Sequence, residues 1–444
     1  MDTSAARAAT RIPAPALARL ATTRPVPADL ALLRRGLEDR RLVLLKALLT
    51  RVERRPGAVP GTARRTFETH WALLARAERD DPPAARAALA YPVVGARLAA
   101  ALGAPDGPPL AEALDAFGAV AAAVALRTGT RFEAGLPAPG GVLHLPGIGA
   151  LDTGADRLHL TAGARTARAG PSARRTRTVL WRLPEAARTG GPPGAGWAGT
   201  VPGWRPLRRL PGTGARLEDL DPYRVPPGGV GRAAGPPRAA AGRTGGPLRP
   251  WAPRWRAALA LLRGADPRRA AEVAALLGAV VPLDGGTGPA GDAPQVSATV
   301  RAAPCAVLTT WPHSAADLAA VLVHELHHTK LEVVHDLAPL HRAATDAVHT
   351  VAWRADPRPL GGVLQGTYAH LALVDLWQRL ARRPGASAGF RGAAGARRDA
   401  YWEQVAAALP ILRDCGELTD AGRQFTIGME EYHRRLGRTA RPAG

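Results

Sequence analysis

Leu30, Leu32, Leu33, Leu37, Leu42, Val43, Leu45 and Leu48 recur at the three- and four-residue spacing of a helix face. Leu73, Leu74 and later alanines and leucines continue that period. The pattern predicts a helical region over about 16–135, with these leucines in its core. From about 136 the texture changes. Gly141–Leu145, Arg157–Leu160 and Thr178–Leu183 read as short strands. Gly, Pro and Arg crowd 184–250, which predicts long loops, while Trp197, Trp204 and Tyr223 mark parts that pack. Helical spacing returns at 255–263 and 266–277, then strands at 295–300 and 306–311. Further helices are expected at 315–337, 361–382, 396–411 and 420–436. The expected fold class is α+β, mainly helical, with no internal repeat. Its regions are an N-terminal helical domain (1–135), a Gly/Pro/Arg-rich β-containing segment (136–250) and a C-terminal helical domain (251–444).

Composition adds two facts to this picture. A chain of 444 residues with 46% hydrophobic residues can bury a sizeable core. Its net charge of +22 is almost all arginine, since the only lysines are Lys46 and Lys330. The joint excess of Ala, Gly, Pro and Arg is what a GC-rich coding sequence produces. No zinc-finger spacing, aromatic–basic RNA motif or dense basic tract accompanies the charge, so nucleic acid is not the expected partner. Cys305 and Cys415 form neither a disulfide framework nor a C-x-x-C pair and read as small buried residues in a reducing cytoplasm. Residues 1–23 lack the continuous apolar run of a secretory signal, and Ala116–Leu126 is too short to cross a bilayer. The expected location is cytoplasmic, with no membrane partner.

The chemistry concentrates in Val321–Leu331, which contains His324-Glu325-Leu326-His327-His328. This is an H-E-x-x-H pattern. Residues four apart share one helix face, so His324 and His328 can offer two imidazoles to one metal ion, with Glu325 beside it to handle a proton or orient a water. Ser314 is a suitable N-cap with Asp317 in the first turn, and no Gly or Pro interrupts the run before Pro339. Seven of the 12 histidines lie between 324 and 370. A third ligand must come from a later position: His335, His341, His349, His370, Asp336, Asp346 or Asp375. His335 sits about two turns beyond His328, too far along the axis. His370 lies on an expected second helix able to pack against the first.

The surrounding text is more specific than the motif. Val323-His324-Glu325 with His328, Lys330 and Leu331 is followed by Asp336-Leu337, then Trp353–Gly362, then Gln365–His370 and Trp377. With the upstream Leu217–Arg224, this ordered set resembles the HExxH-motif peptide-modification family found with gene clusters for ribosomally made, post-translationally modified peptides. The resemblance covers roughly 217–437. It implies an Fe(II)- and 2-oxoglutarate-dependent β-hydroxylase, using O2, that acts on a residue of a ribosomal precursor peptide. It implies His324 and His328 as iron ligands and favours His370 as the third. His327 is a departure, because the family often carries Gln there.

That chemistry needs open metal positions for a bidentate 2-oxo acid and then O2, and a cation for the distal carboxylate. Arg354 and Arg358 are natural candidates for the cation, or else brace the Asp356-Pro357 turn. Trp353 and Trp377 read as core. A zinc metallopeptidase is the alternative, with Glu325 as general base. A binding module whose metal is structural is a third reading. The basic middle segment is a candidate for holding the precursor's leader by strand addition.

Overall fold

The computed structural model describes residues 11–171, 178–182, 197–199, 203–231, 235–242, 251–285, 295–342 and 347–440. The fold is α+β and mainly helical, as expected. Six helices open the chain: α1 (Ala14–Ala21), α2 (Pro27–Arg54), α3 (Gly61–Asp80), α4 (Pro82–Leu89), α5 (Pro92–Gly103) and α6 (Pro108–Thr128). Five of them start on a proline in the first turn, where its missing N–H costs nothing. Among the described residues α6 is a helix long and apolar enough to cross a membrane, yet 67% of its most apolar stretch is buried. Helices α3, α4 and α5 surround it, and Phe67, Trp71 and Phe117 pack between α3 and α6 with ring centroids 5.2–6.1 Å apart. Burial on all sides accounts for its all-round apolar composition.

The helical region ends sooner than the leucine pattern suggests. Gly129 closes α6 in the left-handed region at φ 80°, and strand β1 (Phe132–Pro137) begins where helix was expected to reach about 135. Next come β2 (Val142–Leu145), β3 (Gly149–Asp152), β4 (Arg157–Ala162), β5 (Thr166–Gly170), β6 (Thr178–Arg182), β7 (Trp197–Gly199) and β8 (Trp204–Pro206). They form an antiparallel sheet in the order β1-β4-β5-β6-β7 and a smaller one in the order β2-β3-β8. The three expected strands are present here as β2, β4 and β6. Much of the expected 184–250 loop region, including 184–196 and 243–250, lies outside the described residues.

A mixed sheet joins the halves of the molecule. Its order is β12-β13-β11-β10-β9, from β9 (Arg208–Arg209), β10 (Arg216–Leu217), β11 (Ala279–Pro282), β12 (Ser297–Ala298) and β13 (Ala306–Thr309). Strands β10, β11 and β13 run parallel, with antiparallel edges at β9 and β12. Every residue of β11 and β13 is buried, so both faces are covered. Alternation decides which face each side chain serves. Ala279, Val281, Ala306 and Leu308 pack into the core shared with α3–α6, while Val280 and Val307 pack into the core shared with the later helices. The second core also takes in Leu17, Leu20, Leu30 and Leu33 of the first two helices. Both cores therefore cross the region boundaries at 135 and 250.

The remaining elements are α7 (Trp251–Ala265), α8 (Pro267–Leu276), α9 (Ala315–Leu337), β14 (Val348–Val351), β15 (Arg354–Pro359), α10 (Leu360–Ala381), α11 (Ala388–Asp414) and α12 (Asp420–Ala440). Strands expected at 295–300 and 306–311 shorten to β12 and β13. Helix α11 exceeds the expected 396–411 at both ends. The β14–β15 hairpin was not foreseen, because its residues include Pro357 and Pro359 and alternate poorly. It packs on α10 and α11.

Candidate metal centre

Helix α9 is fixed at its start by Ser314, whose Oγ accepts from the Asp317 N–H at 3.1 Å. It packs against α7, α10 and the mixed sheet, so its long apolar face is buried. Four-residue spacing then brings His324 and His328 together. Their Nε2 atoms are 3.0 Å apart, and their rings meet edge to face with centroids 4.6 Å apart. His370 on α10 joins them, its ring centroid 5.5 Å from that of His324. Trp353, at the turn of the β14–β15 hairpin, meets His370 edge-on at 4.8 Å, and Tyr401 of α11 meets it at 5.0 Å.

The His324–His328 pair suits a metal, while among the described residues no group of three His, Cys, Asp or Glu is gathered closely enough to form a metal site, and His370 lies beside the pair by ring contact. Two nitrogens each about 2.1 Å from one ion and subtending a right angle lie about 3.0 Å apart, matching the observed pair. The Nδ1 of His370 is buried without a hydrogen-bond partner among the described residues. Burial pushes His324 down to about 4, with repulsion from His328 adding to it. Burial likewise holds His370 well below the ordinary imidazole value, again helped by its histidine neighbours. Neutral imidazole is the ligating form. His328 Nδ1 donates to Gln365 Oε1 at 2.9 Å, which leaves its Nε2 lone pair facing His324.

His335, His341, Asp336 and Asp375 are engaged elsewhere, whereas the His349 Nε2 is buried without a hydrogen-bond partner among the described residues. The His335 and His341 rings meet at a tilt, centroids 4.5 Å apart, at the far end of α9, where His335 Nδ1 accepts from the Leu340 N–H. Asp336 pairs with Arg40 and Arg301. Asp375 is buried among Arg24, Arg269 and Arg379. His349 sits on β14. Asp346 lies outside the described residues.

Glu325 is 2% exposed, and both carboxylate oxygens are held. Ser297 Oγ donates to one and Thr299 Oγ1 to the other, each at 2.7 Å. The residue thus ties the motif helix to the edge strand β12. His327 turns away from the histidine cluster. Its Nδ1 donates to the Val323 carbonyl at 2.6 Å, so its Nε2 accepts from Lys330 at 3.0 Å and Arg269 at 3.2 Å. Lys330 and Arg269 share Glu272, and Arg269 also binds Asp375 and the Thr23 hydroxyl. Burial pushes Lys330 down to about 8 against the attraction of Glu272. This buried network joins α8, α9, α10 and the α1–α2 turn beneath the site.

Arg354 and Arg358 both pair with Asp356 on β15, Arg354 through two nitrogens at 2.8 and 3.1 Å, as in the turn-bracing arrangement. A different arginine reaches the cleft beside His324. A hollow of about 460 Å³ is lined by Ser297, Asp317, His324, Trp377, Arg397 and Tyr401. Arg397 lies 4.6 Å over the Trp377 ring, with Nη1 2.7 Å from Asp317. Trp377 is therefore part of this wall as well as of the core. Sequence reading missed Arg397, since nothing local separates it from dozens of other arginines. Its one signal was placement on a helix that follows the His370 helix.

No protein-family profile matches the chain, and no curated protein matches it significantly.

Proposed function

We propose that this chain is an Fe(II)- and 2-oxoglutarate-dependent β-hydroxylase of a residue in a ribosomally made precursor peptide. The observation that supports this reading is the His324–His328 pair, with His370 packed against His324, beside a cleft lined by His324 and one guanidinium. With His370 drawn in as the third ligand, these imidazoles would hold the metal and leave positions open. Bound there, iron with the 2-oxo acid and O2 supplies the oxidising power for C–H hydroxylation.

The chain's own residues do the rest. Gln365 fixes the His328 ring. Trp353 and Tyr401 pack around His370 and keep water from its ring. Arg397 commits one nitrogen to Asp317, and the rest of its fork suits the distal carboxylate of the cosubstrate. Strand β12 is the last strand of the mixed sheet among the described residues, so an extended peptide could add at its edge next to α9.

The alternative is a zinc peptidase, favoured by the same edge strand beside an H-E-x-x-H helix. The hydroxyl clamp on Glu325 argues for the hydroxylase, because a general base must reach a metal-bound water. Anaerobic loading with Fe(II) and 2-oxoglutarate, followed by visible spectroscopy, tests the choice. The expected result is a metal-to-ligand charge-transfer band that is lost in His324→Ala. In Arg397→Met the band should need more than tenfold higher 2-oxoglutarate, an effect of the size expected for one charge-assisted pair. Tight zinc with no band would favour hydrolysis.

A further inference from the structure

The structure holds a second hollow, away from the histidines. A cavity of about 530 Å³ lies where α2, α4, the end of α6, β9, β10 and the residues before β11 and β13 meet. Arg34, Arg41, Arg86, Arg127, Arg209 and Arg216 line it, against the single carboxylate of Glu38.

Arg41 is the telling member. It is 3% exposed, and its Nε and Nη1 have no hydrogen-bond partner among the described residues. It makes no ion pair with any described carboxylate. Of the titratable groups, the Cys305 thiol and the like-charged Arg40 act on it, and its Nη1 packs closely against Gly95 of α5. The Cys305 thiol gives no counter-charge, because burial pushes it up to about 12. Arg216 is also buried, at 6% exposure. Its neighbours include Tyr91 and Glu218, but Glu218 already accepts from the Tyr91 hydroxyl and from the backbone N–H groups of Leu220 and Asp221. A buried guanidinium with unused donors costs several kcal/mol unless an anion meets it. The Nε of Arg86 is also buried and unpartnered among the described residues.

We propose that this cavity binds a small molecule carrying two or more linked phosphoryl groups. Six guanidiniums line the space against one carboxylate, and Arg41 and Arg86 hold buried nitrogens without partners among the described residues, an arrangement that a polyanion balances better than a dicarboxylate. Planar guanidinium forks arriving from several elements suit the many oxygens of a diphosphate or triphosphate. The volume excludes a folded partner and admits a nucleotide-sized ligand. The site also touches the motif helix indirectly, because the Cys305 N–H donates to Thr329 Oγ1, next to His328.

The test is calorimetric titration of the full chain with pyrophosphate and with ATP at fixed ionic strength, alongside inorganic phosphate and citrate. Fixed ionic strength matters because the net charge of +22 attracts any anion. Pyrophosphate or ATP should bind at least tenfold more tightly than citrate. Arg209→Ala and Arg34→Ala, both reaching the cavity from less buried positions, should each weaken binding about tenfold. Arg41→Met should abolish it. Arg54→Ala, on a separate basic groove lined by Lys46 and Arg51, should leave it unchanged. Citrate binding as tightly as pyrophosphate would overturn the phosphate assignment. Absence of binding, or equal weakening by Arg54→Ala, would overturn the site.

Discussion

At the residue scale, the motif assigns different tasks to neighbouring side chains. His324 and His328 face one another, His327 faces a buried cation pair, and Glu325 holds β12 through Ser297 and Thr299. Glu325→Gln keeps one acceptor oxygen for these hydroxyls. As a hydroxylase the variant should bind iron with unchanged stoichiometry and retain measurable 2-oxoglutarate consumption. Complete loss of turnover with metal retained would support the peptidase. His327 gives a sharper case, because its ring nitrogen accepts from Lys330 and Arg269. Gln offers an amide oxygen in the same direction, so His327→Gln should fold and hold metal as the parent does. His327→Leu removes the acceptor from two buried cations and should cost about 1–3 kcal/mol in urea unfolding. Loss of metal in His327→Gln would instead make this residue a ligand.

At the element scale, the site depends on how α9, α10 and α11 dock, and short connections govern that docking. Residues just after α9 pair with the turn before α12: Arg342 N–H donates to the Glu417 carbonyl, and Thr419 N–H to the Leu340 carbonyl. Gly422 lies so close that an added Cβ would sit 1.8 Å from the Leu340 carbonyl oxygen. Backbone must move to admit it, so Gly422→Ala should destabilise the chain by about 1–3 kcal/mol, read as a lower urea midpoint. A midpoint equal to the parent's would show that α12 can slide. The β14–β15 hairpin carries Trp353 onto His370, and Gly366 of α10 makes room for that indole. The hairpin was illegible in the sequence because its prolines and charges obscure a strand period. The helix it packs on was legible, since an apolar period of 3.6 survives almost any surface substitution.

At the scale of the whole molecule, the mixed sheet is the wall between two cores, and Glu218 just beyond β10 is buried beside it. Burial, with repulsion from Asp221, raises its carboxyl from the ordinary 4.5 to about 7. Between those values the unfolded chain has released this proton and the folded chain keeps it. Folding then binds the extra proton, so this group's contribution to stability is full below about 4.5 and is lost as pH rises to about 7. Glu218→Gln should remove that part of the pH dependence, measured as unfolding free energy across the window. An unchanged slope would place the titration on another group.

The sequence by itself determined most helices, the pairing of His324 with His328 and the apolar faces that build the cores. Each follows from periodicity within a few turns of chain. Tertiary structure packs His370, which the resemblance favoured, against His324 and stations His341 with His335 at the far end of α9, and it alone decided that Ser297 and Thr299 clamp Glu325. It also decided that Arg397 lines the cleft while Arg354 and Arg358 stay on Asp356, and that six arginines from five elements share one cavity. These juxtapositions join residues tens to hundreds of positions apart. They are set by which sheet face and which helix flank pack together, and local spacing carries no record of that choice.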